Sequence, residues 1–303
     1  MRSLEGLKAV VTGAAGGIGA PLSRLLREAA VHVTGIDQAL CQECDDTVFC
    51  DLGDDAELHM LCDRLRADPP DILVNVAGVM CFGPHDRQEF SRLELCYRVN
   101  LVVPVALAQA VAGPMRARGS GQIVNIGSVL GAIPYPWFAA YSSSKAGLAA
   151  FSQALQRELH GTGVDVTHVS PRAVRTPFNR GGVERFLDIA GMKADEPETV
   201  ARKIVAAIRE RRPRLSLGTA EAFYAALNAL VPAVIDKGLR RQLARVSAEF
   251  SNPQPQGEKD HDILTPTNPR GGSAVELRGT GARGRPNVAR RQGDQRQLGP
   301  YRL

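Results

Sequence analysis

The chain has no uninterrupted apolar run close to the roughly eighteen residues that a membrane-spanning helix needs. The nearest stretch, 101–115, is broken by Pro104 and Gln109. An integral membrane protein is therefore not the expected class. No leader is expected either, because an apolar strand pattern begins a few residues after Met1, and the expected setting is cytoplasmic. Charge of one sign is scarce where a binding surface would need it. The net +5 is concentrated from Ser251 onward, where nine Lys/Arg face five Asp/Glu, and the remainder carries only about +1. A basic nucleic-acid face on the body of the protein is excluded on that ground. The tail from Ser251 is poor in apolar residues and rich in Pro, Gly, Gln and Arg, which predicts disorder. Its runs Arg270-Gly-Gly and Gly-Ala-Arg-Gly-Arg285 are accompanied by a single Phe, Tyr or Trp residue, Tyr301, so a stacking platform for RNA is missing.

A zinc signature is also incomplete. Cys41-x-x-Cys44, with Cys50 and His59, is the nearest approach, and no second C-x-x-C matches it. Cys41, Cys44, Cys50, Cys62, Cys81 and Cys96 are expected as reduced thiols, with no metal. What the 303 residues do offer is an ordinary globular balance, 44% apolar and 23% charged, enough for one full core plus extras.

The first motif is a strand, a glycine turn and a helix start. Leu7–Thr12 reads as a short apolar strand, followed by Gly13-Ala-Ala-Gly16-Gly17-Ile18-Gly19 and a helical pattern with Leu22, Leu25 and Leu26. Glycines let the backbone turn tightly and let a pyrophosphate approach, and the helix N-terminus presents free N–H groups. Pro21 falls in the first turn, where its missing N–H costs little. A second strand over 31–36 ends in Asp37, twenty-four residues after Gly13, near the spacing of a carboxylate that accepts from ribose hydroxyls. A carboxylate there repels a 2′-phosphate, so NAD is expected in preference to NADP.

The second motif is Tyr141-Ser-Ser-Ser-Lys145, with Ser128 thirteen residues upstream of Tyr141. Four residues apart on a helix, the phenol and the ammonium share one face. A phenol loses its proton near pH 10, and a positive neighbour is expected to bring that loss toward neutrality. Ser128 adds a hydroxyl able to hold a substrate oxygen against the tyrosine. Such a set suits moving a proton on and off an alcohol or carbonyl oxygen.

Thr12-Gly13-x-x-x-Gly17-Ile18-Gly19, Asn75-Val-Ala77-Gly78, Asn100, Ser128, Tyr141-x-x-x-Lys145 and Pro171-x-x-Val174-x-Thr176-Pro177 occur in one order. Together, over about residues 5–218, they resemble the short-chain dehydrogenase/reductases, in the short single-domain branch. Gly13, Gly16 and Gly19 also fit the G-x-x-G-x-x-G spacing of the longer, epimerase-like branch, whereas Asn75–Gly78 and the P-x-x-V-x-T segment favour the shorter one. Two departures stand out: Asn-Val-Ala-Gly in place of the usual Asn-Asn-Ala-Gly, and Pro171-Arg172 in place of Pro-Gly. Arg172 thereby puts a long cation near the expected nicotinamide and substrate, where it would pair with a substrate carboxylate or the cofactor phosphates.

The resemblance implies an α/β chain with a doubly wound Rossmann fold, its parallel seven-stranded sheet carrying helices on both faces. The pattern agrees, with apolar strands near 47–50, 71–75, 122–126, 164–169 and 214–217 and helices near 55–66, 92–118, 139–160 and 198–211. Three parts are expected: a cofactor-binding and catalytic domain over 1–218, a helical extension over 219–250 and the tail over 251–303. In the extension, Phe223, Ala226, Leu227, Leu230 and Val231 have helical spacing up to Pro232, and a basic amphipathic segment, Leu239–Arg245, follows. Core packing, a cap over the substrate cleft and docking on an anionic membrane face are all open for it.

Roles are implied residue by residue. Tyr141 acts as base toward an alcohol, while hydride leaves the same carbon for the nicotinamide. Lys145 stabilises the phenolate and binds the nicotinamide ribose. Ser128 orients the substrate oxygen, and Asn100 holds a water that links Lys145 to solvent. Pro171, Val174 and Thr176 sit by the carboxamide, Asn75, Ala77 and Gly78 line the ribose, and Asp51 and Leu52 lie around the adenine. The apolar segment Ile133–Phe138, with Phe178, Phe186 and Leu187, points to a lipophilic secondary alcohol or ketone such as a steroid, a retinoid or an acyl chain; plain loop packing is the competing reading. Leu148, Phe151, Leu155 and Leu159 form a stripe that fits sheet packing and also pairing into a homodimer or homotetramer. An NAD-binding sensor without turnover and an epimerase or dehydratase with retained NAD are the alternative functions.

Overall fold

The computed structural model describes residues 2–251; the tail expected to be disordered lies outside them, apart from Ser251. Seven parallel strands form one sheet in the order β3-β2-β1-β4-β5-β6-β7. They are β1 (Lys8–Thr12), β2 (His32–Asp37), β3 (Asp46–Phe49), β4 (Ile72–Asn75), β5 (Gly121–Ile126), β6 (Val164–Ser170) and β7 (Arg214–Ser216). The central β4 and β5 are buried along their whole length, which is why they read as continuous apolar runs rather than alternating ones.

Helices α1 (Gly19–Glu28) and α7 (Pro197–Arg209) cover one face, with Leu22, Leu26, Val200, Ile204 and Ile208 in a core shared with Val11 and Val74. On the other face lie α2 (Asp55–Ala67), α4 (Val103–Arg118) and α5 (Ala139–Glu158), which bury Leu58, Leu61, Leu107, Val111 and Met115 against Leu73 and Ile123. The chain order reverses between β1 and β4, so their C-terminal ends open a crevice, the place where doubly wound sheets take ligands.

The helix expected over 92–118 is an interrupted rod. Helix α3 (Phe90–Tyr97) passes into a π-turn over Arg98–Val102 and then into α4. The π-turn contains Asn100, and such bulges concentrate at functional sites. By length and hydropathy this rod is apolar enough to cross a bilayer, contrary to the expectation above, but half of its apolar window is buried, as befits a core helix. Three further helices lie among the described residues: α6 (Gly182–Ile189), α8 (Thr219–Leu230) and α9 (Pro232–Ser251). The stripe on α5 packs on the sheet: Leu148 and Leu159 are buried, and Phe151 and Leu155 lie partly buried against the same core.

Candidate active site

The glycine turn leaves the C-terminal end of β1 and enters α1. Gly13 adopts φ +65°, and a Cβ there would lie 2.8 Å from the Ala77 Cα, so only glycine fits both the turn and the neighbouring strand end. At Gly17 a Cβ would run into the Thr176 side chain. These two close approaches bring the turn together with Ala77 and Thr176, which lie far apart in sequence. The Thr12 hydroxyl accepts from the N–H groups of Val76 (3.1 Å) and Ala77 (3.2 Å), tying β1 to the exit of β4.

At the mouth of the turn the N-cap residue of α1 is Ile18, which offers no capping oxygen. Among the described residues no acceptor takes the N–H groups of Gly17, Ile18 and Gly19. Three free amides at a helix start suit a pyrophosphate. The Asp37 carboxylate overhangs the same turn, accepting from the N–H groups of Ala15 (3.0 Å) and Ala39 (3.1 Å). These residues therefore fit a dinucleotide cofactor. Farther out, Asp51 is exposed and its carboxylate accepts from the Gly53 N–H, whereas Leu52 is buried in the core beside α2.

Across the crevice, α5 places Tyr141 and Lys145 on one face. Both are buried, and the Lys145 ammonium lies 5.9 Å from the centre of the Tyr141 ring. Lys145 Nζ donates to the Ile126 carbonyl at the end of β5 (2.9 Å). Ser128 follows that strand end and accepts from the Leu130 N–H (3.1 Å). Gly78 sits where these groups converge: a Cβ there would be 3.2 Å from Asn100 Oδ1 and 3.7 Å from Lys145 Nζ.

The Asn100 carboxamide accepts from the Val79 N–H (2.8 Å) and donates to the Val79 carbonyl (2.9 Å) and the Ser144 hydroxyl (3.1 Å). It thus fixes the chain just after Gly78 against α5. Asn75 donates to Asn125 (2.8 Å), and Asn125 donates to Ser152 (2.9 Å). Neither Asn125 nor Ser152 belongs to the motif set, and only the assembled sheet shows that they support Asn75.

Burial controls the electrostatics. The Tyr141 phenol is pushed up to about 12 by desolvation, against the downward pull of the Ser128 hydroxyl. Lys145 is brought down to about 8, again by desolvation. The expectation that the lysine alone makes the tyrosine easy to ionise is not met, because at this separation the desolvation of the phenol is the larger effect. In the chain by itself Tyr141 is a protonated donor at neutral pH, and Lys145 still carries its charge.

Arg172 is corrected more plainly. Its guanidinium makes a bidentate pair with Asp195, 3.0 Å from Nε and 2.6 Å from one terminal nitrogen, and Glu221 on α8 lies 3.6 Å from the other. Its charge is spent within the chain, so Arg172 offers no free cation to cofactor or substrate. Around it, the Asp195 backbone bonds with Ala173 and Arg175 and holds the loop. Pro171 accepts from the Val129 N–H, and buried Val174 accepts from the Asn179 side chain (2.7 Å).

Beyond Tyr141 the wall is aromatic. Phe82 lies 4.9 Å from Phe138 between ring centres, Phe138 lies 5.1 Å from Phe186, and Trp137 lies 4.7 Å from Phe250 on α9. Phe178 is 6.1 Å from Tyr141 itself. Trp137 has φ +73°, a strained conformation for a bulky side chain. Two of these groups, Phe82 and Phe250, were not signalled by the motifs.

Among the described residues no group of three or more His, Cys, Asp or Glu has the proximity of a metal site. Cys41 and Cys44 lie with their sulfurs 2.8 Å apart, and Cys41 donates to the Ala14 carbonyl.

The short chain dehydrogenase family profile matches residues 8–185. A ketoacyl reductase, HetN, of a Nostoc species is 28% identical over 226 residues, covering 70% of this chain and 78% of that protein. D-threitol dehydrogenase of Mycolicibacterium smegmatis is 31% identical, covering 57% of this chain and 72% of its own. Among solved structures, a Beutenbergia cavernae protein with NADP bound at low occupancy superposes with a TM-score of 0.65 at 28% identity, over 71% of this chain and 96% of that one.

Proposed function

The chain belongs to the short-chain dehydrogenase family and is an NAD(P)-dependent oxidoreductase acting on CH–OH or keto groups, and from that premise we propose that it uses NAD to oxidise or form a lipophilic secondary alcohol. The observation that carries this reading is the aromatic wall adjoining Tyr141. Its relatives bear names of both polar and acyl character, a D-threitol dehydrogenase and a ketoacyl reductase, and the wall supports the acyl-like reading. Aromatic groups beside a few polar ones suit a greasy body carrying one oxygen.

NAD is favoured by Asp37, whose carboxylate overhangs the glycine turn and would meet a 2′-phosphate with like charge. When bound, the nicotinamide supplies the hydride acceptor, or the donor in reverse. The rest of the chemistry falls to the chain. Ser128 holds the substrate oxygen; Tyr141 exchanges a proton with that oxygen through its own hydroxyl. Lys145, held by the Ile126 carbonyl, keeps a positive charge near the phenol and lowers the cost of its ionised form. Asn100 keeps the Val79 backbone and α5 in register, so that these groups stay within reach. Exposed Phe90, Tyr97 and Val102 on the α3–α4 rod support a homodimer or homotetramer.

The test is absorbance in the NADH band with a panel of long-chain secondary alcohols, steroids and polyols, using NAD and NADP. Net NADH from a lipophilic member, with NADP much poorer, is expected. Turnover of polyols alone would overturn the substrate assignment. Product without net NADH would mark an epimerase, and NAD binding without any product a sensor.

A further inference from the structure

Residues 222–235 contain no charged side chain. They form most of α8, the bend after it and the first turn of α9. Within them Ala229-Leu-Val-Pro-Ala-Val234 is an unbroken apolar run, and every member is exposed. Leu230 is 81% exposed and Phe223 65%. Soluble surfaces carry apolar residues singly; a run of this kind marks a site of interaction.

The inner faces of these helices are already committed. Asn228 donates to the Ala132 carbonyl (3.0 Å), and Glu221 faces Arg172. On α9, Val246 and Phe250 join the aromatic cluster, with Leu239 and Leu243 close to Phe186 and Tyr135. The apolar run is therefore the outward side of an anchored helical pair. The two helices meet at 117°, so the run lies at a corner. After it come one carboxylate, Asp236, and then four cations, Lys237, Arg240, Arg241 and Arg245, with no further Asp or Glu up to Arg245; Asp236, Lys237, Arg240 and Arg245 are exposed.

We propose that this corner docks the protein on an anionic bilayer. Leu230, Val231 and Val234 enter the boundary between headgroups and acyl chains, and the cations of α9 meet the anionic headgroups. Charge complementarity selects lipid over a second copy of this chain. Four cations against one carboxylate would repel their own copies across a two-fold contact, whereas an uncharged corner followed by an excess of cations is what an anionic interface accommodates. The docking stands on the surface alone. Its bearing on the substrate rests on the lipophilic reading above: the inner side of α9 closes the aromatic wall, so a membrane-borne substrate would reach Tyr141 from the docked side.

The test is co-sedimentation of the full chain with vesicles of phosphatidylcholine alone or mixed with phosphatidylglycerol, at low and high salt. The protein is expected to pellet with the anionic vesicles at low salt and to be released by salt. Leu230→Asp combined with Val234→Asp should lower the bound fraction by about tenfold with an unchanged melting temperature. Lys237→Glu combined with Arg240→Glu, on exposed positions that do not endanger folding, should abolish the preference for anionic vesicles. Protein that stays in the supernatant with both vesicle types, or an apolar-corner variant that pellets like the parent, would overturn the proposal. So would a corner variant that loses oligomer mass in light scattering yet keeps vesicle binding, which would make the corner a subunit contact. NADH formation from a water-soluble substrate reads the catalytic assignment separately.

Discussion

At the scale of single residues, desolvation sets the protonation of the groups around the crevice. His168, buried on β6, is brought down to about 4 from 6.5 by burial, with Arg214 and Lys145 adding repulsion. Its Nε2 has no partner among the described residues, which accords with a ring kept neutral. The folded state resists protonation until about pH 4, whereas the unfolded chain takes the proton below about 6.5. Stability from this source is thus fully present above pH 6.5 and is lost as pH falls toward 4. Urea unfolding should show a loss of about 3 kcal/mol across that window, and His168→Phe should remove most of that part of the slope. An identical slope in the variant would assign the acid sensitivity to other groups. The shared face of Tyr141 and Lys145 and the position of Ser128, the residues proposed to carry the chemistry, were legible in the sequence, because the first two need only helical spacing and the third only a strand end. The fate of Arg172 was not. Its partner Asp195 lies outside every motif, and nothing local links the two.

At the scale of elements, the strands and most helices could be read from apolar runs and glycine punctuation to within a few residues. The π-turn at Asn100 could not, since Arg98-Val-Asn-Leu-Val102 continues a helical pattern without any residue that marks an extra unit. Helix α6 was similarly hidden, in a stretch noted only for its apolar residues Phe186 and Leu187. The segment from Pro171 to Asp195 is closed by an ion pair as well as by the backbone bonds of Asp195, with Arg172 28% and Asp195 14% exposed at the side chain. Bidentate charge-assisted bonds of this kind are the strong ones. Arg172→Met should therefore lower stability by about 1–3 kcal/mol in chemical denaturation while NAD affinity, followed by the fluorescence of the single tryptophan, Trp137, changes less than about twofold. A collapse of NAD affinity with unchanged stability would instead place the guanidinium on the cofactor.

At the scale of the whole molecule, the reversal of strand order between β1 and β4 gathers everything that matters. The glycine turn, the Asn75–Gly78 exit, Ser128 after β5 and the loop after β6 all sit at C-terminal strand ends, so cofactor and proton donor are brought to one crevice by topology. The aromatic wall comes from four separate stretches, around Phe82, Trp137, Phe186 and Phe250, and only the folded chain unites them. The central claim is that proton exchange at the substrate oxygen passes through the Tyr141 hydroxyl. Its most direct test is turnover of Tyr141→Phe beside its NAD-induced thermal shift. The account predicts a loss of about a thousandfold or more in turnover with the thermal shift preserved; near-normal turnover in the variant would contradict it.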